Sequence, residues 1–322
     1  MKYTVPAYAF RARARAAMKP VMSVLIVVAL IAALPSILSS LLTTLTQASP
    51  EQVLLNFANR SMQVTEKYGL DTTAETLPEG IDENALAADV LNVYDTFFAE
   101  SETFAREKGP IIIALAVMTI LLAPVLELGL INALLHALRR QEFTFSIALS
   151  RLRIYPKALG LTLLLGMKYA LWMLPGIAIM ALAFLLPVDA AMIVTMLGMI
   201  AMLVPVIPAA YRYAMASFVL ADAPQTRVRD CVRRSKEIMA GRKMELFGLE
   251  ISFLGWSLLL AYGEALLLGM LGPVLGMALA QFAALFLTVY TTCAQAAFYQ
   301  EYAVGPLPGA KTEEAASSEM TD

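Results

Sequence analysis

Among the ionisable residues in the long apolar stretches or near their ends, four stand out because a charged side chain is costly there. They are Glu127, Lys168, Arg212 and Glu250. A charge at the centre of a bilayer costs roughly 2.5–3.5 kcal/mol on insertion scales, so each of these residues needs a physical reason to be there. Two arrangements would supply one: a polar pathway that carries an ion or small solute, or buried ion pairs that fix how the helices align.

The depth of two of these residues can be estimated from the bases that flank them. Glu127 precedes Arg139 by twelve residues, which is about 18 Å along a helix. Lys168 follows Lys157 by eleven residues, about 16 Å by the same rise. Glu127 and Lys168 therefore reach a similar depth, and we predict that they pair.

Arg212 and Glu250 lie nearer one membrane surface and form a second predicted pair. Only two such pairs can be drawn, and no chain of charged residues crosses the membrane. The structural interpretation, ion pairs that fix helix register, is therefore favoured over a transport pathway.

No residue pattern typical of catalysis or of cofactor binding occurs in the sequence. It has no metalloprotease, serine hydrolase, Walker or dinucleotide motif. A single histidine, His136, excludes a multi-histidine metal site. The two cysteines, Cys231 and Cys293, are predicted to be free thiols. We expect a protein that is not an enzyme and that holds neither metal nor cofactor.

Six stretches are long and apolar enough to cross a membrane as helices. The chain has 322 residues, 59% apolar and 16% charged, against about 25% charged residues in a soluble domain. About 20 apolar residues span the hydrocarbon core. The sequence predicts an all-α polytopic membrane helix bundle, whose six transmembrane helices are residues 21–46, 110–138, 158–186, 190–220, 245–268 and 272–299.

Basic residues orient this bundle. Residues 1–20, 139–157 and 222–244 are rich in lysine and arginine, and six spans place all three segments on one side. The two short loops of the other side carry no base. Because lysine and arginine concentrate on the cytoplasmic side, both ends of the chain are predicted to be cytoplasmic. The tail, residues 300–322, is predicted to be disordered.

The segment 222–244 is also predicted to contain a basic amphipathic helix. Val228, Val232, Ile238 and Met239 alternate there with arginines. Such a helix lies at the membrane interface, against anionic lipid headgroups. An ordinary positively charged loop would have the same composition, and both interpretations stay open. No nucleic-acid partner is expected.

Residues 47–109 are predicted to form a helical extracytoplasmic insertion between the first two spans. They hold twelve acids and four bases. Ser49 reads as the N-cap of a first helix and Gly69 as its C-cap, a second helix starts at Asp82, and Gly109-Pro110 ends it. The acids are a solvated surface or, alternatively, a face that binds cations or cationic peptides.

Small residues recur every four positions in the last span, starting at Gly272 and Gly276. Small side chains let membrane helices approach closely. A row at this spacing drifts around the helix, so one neighbour cannot touch all of it. We therefore predict close helix packing at the glycine end.

The stretch from Ser235 to Trp256 carries the most specific pattern in the chain. It resembles the uncharacterised bacterial membrane proteins grouped as the domain of unknown function 975. The matching residues are Asp222, Ser235, Met239, Gly241, Lys243, Phe247, Ser252, Phe253, Gly255, Trp256, Phe298 and Tyr299. The chain departs from the family pattern at Ala209, where members often have glycine, and at Val289, where they often have proline. The resemblance implies a bacterial membrane protein and no particular activity.

Two functions are consistent with these observations. The favoured one is a non-catalytic scaffold or accessory subunit of the bacterial envelope, in contact with anionic lipid and with a protein partner or a second copy. The alternative is a small-solute or ion transporter that works around Glu127 and Lys168. The expected location is the bacterial cytoplasmic membrane.

Overall fold

The computed structural model of the chain describes residues 5–45, 51–70, 80–141, 150–183, 186 and 188–305. Within these ranges all regular structure is helical. Six helical stretches are long and apolar enough to cross a membrane, which confirms the predicted fold class. They are Ala7–Thr43, Glu83–Leu138, Ser150–Leu182, Ile193–Asp222, Lys243–Gly272 and Leu275–Val304.

The described α-helices are numbered here in chain order. They are α1 Ala7–Met18, α2 Met22–Leu45, α3 Glu51–Lys67, α4 Glu83–Leu138, α5 Tyr155–Leu182, α6 Val188–Tyr213, α7 Ala216–Asp222, α8 Val228–Ile238 and α9 Lys243–Tyr299. A 3-10 turn, Lys19–Val21, joins α1 to α2, and another, Ser150–Ile154, precedes α5. The chain divides into two compact units, Met1–Pro35 with Ile120–Asp322, and Ser36–Thr119.

In the first unit, the basic N-terminal segment folds as α1 and packs against the end of α9. Phe10, Ala14 and Met18 recur at helical spacing and are buried. The Phe10 ring lies 5.5 Å from that of Phe298. Arg13, at the edge of this buried face, donates to Glu301 at 2.6 Å. The arginines of α1 are thus at the rim of a packed helix.

The chain stays helical beyond the predicted start of its disordered tail. Residues Gln300–Val304 form a π-helical turn, and Gln300 is buried. The Tyr302 ring packs 4.7 Å from Phe298 and its hydroxyl donates to Glu245. The predicted boundary at residue 300 is therefore wrong, because these side chains belong to the core. Residues 306–322 lie outside the described residues.

Two glycines bring α5 and α6 into backbone contact. A Cβ atom on Gly176 would lie 2.5 Å from the backbone nitrogen of Met202 and 2.6 Å from the carbonyl oxygen of Gly198. Only hydrogen fits in that space. Close approach through small residues is how membrane helices associate. This pair has no sequence signal, because the two glycines lie on different helices and do not recur at a fixed spacing.

The last two spans are joined by a turn of minimal length. Gly272 has φ 78° and ψ 170°, and it breaks α9 into two helical halves. A Cβ on Gly272 would meet nothing within 4 Å, whereas one on Gly276 would lie 2.6 Å from the carbonyl oxygen of Leu267. Gly276 is therefore at a close helix contact. Gly272 serves the turn, because its positive φ favours glycine.

The second unit contains a helical hairpin of α3 and the first turns of α4. The Phe57 ring packs 4.8 Å from Phe97, and Arg60 pairs with Glu100 at 2.7 Å. Gly69 ends α3 with φ 57°, as predicted. The predicted cap at Ser49 lies outside the described residues.

The end of this hairpin differs from the prediction. Helix α4 continues through Gly109 and Pro110 to Leu138. Gly109 lacks the positive φ of a glycine helix cap. A proline in a helix removes one backbone donor but can be accommodated in a membrane helix by local adjustments. The Gly-Pro pair is therefore no boundary, and the insertion is continuous with the second span.

Replacing the cap of α4 provides a direct test of this hairpin. Asp82 Oδ1 accepts from the backbone N–H groups of Asn84 at 3.0 Å and Ala85 at 3.2 Å. We expect Asp82→Ala to lower the stability of the first turns of α4 by about 1 kcal/mol. Hydrogen exchange should then be faster at Asn84 and Ala85. Unchanged protection there would contradict the cap.

Candidate functional site

The structure does not pair Glu127 with Lys168. No ion pair joins them among those of the described residues. The Lys168 ammonium lies 5.9 Å from the centre of the Tyr213 ring, and the Glu127 side chain is exposed on the bundle. The predicted pairing is wrong because matched depth says nothing about the direction in which a side chain points around its helix.

Arg212 and Glu250 do not pair either. The Glu250 carboxylate accepts from the Tyr211 hydroxyl at 2.6 Å and from Gln295 Nε2 at 3.0 Å. Arg212 is exposed. Consecutive residues point about 100° apart on a helix, so it is Tyr211, not its neighbour, that faces Glu250. The Glu250 carboxylate is thus held by two neutral donors.

Asp222 is the centre of a polar network that joins three helices at one end of the first unit. Its carboxylate accepts from Arg139 Nη1 at 2.6 Å and from the Tyr299 hydroxyl at 3.2 Å. Arg139 also donates from Nε to Gln300 Oε1 at 2.9 Å. Asp222 ends α7, Arg139 follows α4, and Tyr299 ends α9. The network therefore fixes these helix ends relative to one another.

Ser235 holds a bend between α6 and α7. Its hydroxyl donates to the carbonyl of Arg212 at 3.1 Å and accepts from the N–H of Met215 at 3.2 Å. The helical chain breaks between these two residues, which leaves backbone groups without helical partners. Ser235 is fully buried, so no water can replace its hydroxyl.

The remaining family-like residues divide into a packed set and an exposed set. The packed set comprises Met239, Phe253, Phe298 and Tyr299, all buried, and Gly241, which follows α8 with φ 76°. Ser252 donates to a carbonyl within its own helix. The exposed or half-exposed set is Lys243, Phe247, Gly255 and Trp256.

The basic amphipathic helix predicted in residues 222–244 is α8, and its apolar face points into the protein. Cys231, Val232 and Ile238 are buried there, whereas Arg233 is 73% exposed. The apolar face is therefore not available to lipid, and only the arginine-rich face can meet headgroups. Burial, together with the nearby charge of Asp230, raises the pKa of Cys231 to about 11.

Two cavities have contrasting linings. One, about 10 Å³, lies in the first unit between α2 and α9 and is lined by apolar side chains such as Met22 and Phe286. The other is a polar groove of about 450 Å³ in the second unit, lined by Arg60, Lys67 and Asp89 among others. Glu127 lines neither cavity. In the part of the chain that the structure describes, no His, Cys, Asp and Glu cluster could hold a metal ion.

Comparison with known proteins gives a family and nothing closer. No curated protein matches the chain, and no solved structure matches it. The family described as "Protein of unknown function (DUF975)" matches residues 86–303. This match includes α4 from Leu86 onward and leaves out α1, α2 and α3. Since it covers most of the chain and all of the packed polar residues around Asp222, the protein belongs to the DUF975 family.

Proposed function

We propose that this membrane protein is a non-catalytic scaffold or accessory subunit of the bacterial envelope. The supporting observation is which groups the polar family-like residues bond to. Asp222 and Ser235 bond to side chains and backbone of the same chain rather than converging on an open cavity. Such contacts fix the arrangement of the helices, and a fixed arrangement of helices suits a protein that binds other proteins.

An apolar stripe on the insertion is the proposed partner surface. Leu91, Tyr94 and Phe98 lie on one face of α4 and are 62%, 48% and 65% exposed. We call them the outer stripe. Two exposed acidic residues, Asp95 and Glu102, lie beside it at helical spacing on α4. A helix with apolar anchors and flanking bases would be complementary to such a face.

The proposed location is the bacterial cytoplasmic membrane, with both termini and all three basic segments in the cytoplasm. The support is the distribution of lysine and arginine between the two sides of a six-span bundle. The outer stripe then faces away from the cytoplasm, where a partner would be another envelope protein.

Thiol labelling on intact cells tests this orientation. We expect an impermeant reagent to modify Glu102→Cys, and to modify Gln225→Cys only after the cells are opened. Both positions are exposed. The native cysteines need not be removed, because both are buried and the thiol of Cys231 stays protonated at neutral pH. Labelling of residue 225 on intact cells would mean that the proposed orientation is wrong.

A variant of the outer stripe tests the scaffold proposal. We expect wild-type protein, cross-linked in membranes, to migrate as an assembly larger than one chain. Leu91→Gln with Phe98→Gln should remove that assembly while leaving protein abundance unchanged. Ala99→Gln is the matched control, because Ala99 is exposed on the same helix but lies off the stripe. A wild-type protein that migrates as a single chain would refute the proposal.

Transport remains the second candidate, and one observation favours it. Glu127 is exposed on the bundle within an apolar span, and it has no ion pair within the described part of the chain. A carboxylate at that depth is costly unless it binds something. Purified protein in liposomes would decide: ion flux that Glu127→Gln abolishes supports transport, and flux equal to that of empty liposomes removes this support.

A further inference from the structure

Three buried nitrogen atoms near the C-terminal end of α4 have no hydrogen-bond partner among the residues that the structure describes. They are His136 Nδ1, Arg139 Nη2 and Arg151 Nε. His136 lies in the last turn of α4, Arg139 follows that helix directly, and Asn132 lies one turn before His136. Arg151 reaches the same helix face, because its Nη2 donates to Asn132 Oδ1 at 2.8 Å. The three atoms thus belong to one cluster at the end of the second span.

The cluster has more positive charge than this part of the chain balances. Asp222 offsets the charge of Arg139, to which it is bonded at 2.6 Å. Arg151 bonds to the neutral amide of Asn132, and no ion pair of the described residues includes it. Within the described ranges, one guanidinium charge, with one unused Nε–H, is therefore left over.

An oxyanion would satisfy both the charge and the unused donors. A buried donor without an acceptor is destabilising, and a hydrogen bond to a charged acceptor is stronger than one to a neutral group. Guanidinium groups bind phosphate through two parallel N–H donors, which a single ammonium cannot do. We propose that Arg151, Arg139 and His136 form a binding site for one phosphate group.

The position of the cluster favours a phosphate that belongs to a lipid headgroup. Helix α4 leaves its apolar span at Leu138, one residue before Arg139, which is the depth of headgroups in a spanning helix. Basic pockets between membrane helices on the cytoplasmic side bind anionic headgroups. Free inorganic phosphate has the same chemistry, and the experiment distinguishes the two. The proposal does not depend on the scaffold function.

Ligand-induced stabilisation of the full chain tests the site. Protein freed of lipid in a neutral detergent is heated with inorganic phosphate, with phosphatidylglycerol or with phosphatidylcholine. We expect phosphatidylglycerol to raise the unfolding midpoint, with phosphatidylcholine giving a smaller rise. Arg151→Gln should require about tenfold more phosphatidylglycerol for the same rise, as expected for one lost charged hydrogen bond. Arg153→Gln is the control, because Arg153 lies in the same 3-10 turn and is exposed.

The outcomes separate the possible ligands. A rise with inorganic phosphate equal to that with phosphatidylglycerol, lost in Arg151→Gln, would assign the site to free phosphate. An equal response of Arg151→Gln and Arg153→Gln, or no rise in wild type with either probe, would overturn the proposal. Arg151→Lys keeps the charge without the paired donors and should stay weak. If neither Arg151 variant folds, native mass spectrometry of wild type decides, since a protein that retains no phosphatidylglycerol or phosphate contradicts the site.

Discussion

Asp222→Asn should lower the free energy of unfolding by about 2–3 kcal/mol. Breaking a fully buried ion pair typically costs 3–5 kcal/mol because the remaining charge is unpaired. The side chains of Arg139 and Asp222 are 22% and 21% exposed, so water offsets part of that cost. The Tyr299 hydroxyl also loses a charged acceptor. Denaturant unfolding of the purified protein in mixed micelles measures the change.

A double-mutant cycle identifies the origin of the loss. Arg139→Met alone should destabilise by a similar amount, and the double variant should lose less than the two single losses added together, by at least about 1 kcal/mol. Asp230→Asn is the control, because Asp230 pairs with Arg233 at 3.3 Å where both side chains are exposed. That control should change stability by less than about 0.5 kcal/mol. Additive single losses would show that Arg139 and Asp222 are not coupled.

Gly176→Ala should destabilise the protein by about 2–3 kcal/mol, at the upper end for an overpacked site. The new Cβ would lie 2.5 Å from the backbone nitrogen of Met202, so α5 and α6 must separate. Gly166→Ala on the same helix is the control, since nothing lies within 4 Å of its Cβ position. Thermal unfolding in detergent measures both.

Gly198, which faces Gly176, should respond differently to a second substitution that removes the obstructing side chain. A Cβ on Gly198 would first meet the Cγ atom of Met180, which belongs to a flexible side chain. Met180→Ala removes that atom and should recover part of the stability lost in Gly198→Ala, because the backbone nitrogen of Met180 at 3.0 Å and the carbonyl oxygen of Gly176 at 3.1 Å remain. Met202→Ala should not rescue Gly176→Ala, because the obstructing Cβ and backbone nitrogen remain. Equal rescue of both variants would mean that the helices are not packed as described.

The six spans could be predicted from sequence because the length of charge-free runs is a local property. The insertion was predicted as a helical hairpin for the same reason: Asp82 and Gly69 are local signals for a helix start and a helix end. Gly109-Pro110 is also a local signal, but the helix end that it predicts is wrong, because neighbouring groups in a folded chain can accommodate a proline.

The partners of the charged residues could not be predicted, because they depend on rotation about helix axes. The position of Glu250 in an apolar span indicates that it needs a partner, but Tyr211 and Gln295 supply the hydrogen bonds and Arg212 does not. The bend at Ser235 shows the same limit. A serine 20 residues from Met215 gives no sign in the sequence that its hydroxyl holds that backbone.

The contact of α1 with the end of α9 has a consequence for how the protein is made. The N–H of Val5 donates to the Tyr302 hydroxyl at 3.3 Å, across 297 residues of chain. A ribosome adding about 5–20 residues per second needs about 15–60 s for that interval. During this interval Phe10 and Phe298 cannot pack together, so the apolar face of α1 stays without its partner at the membrane surface. The last span to be translated is therefore the one that completes the burial of the first helix.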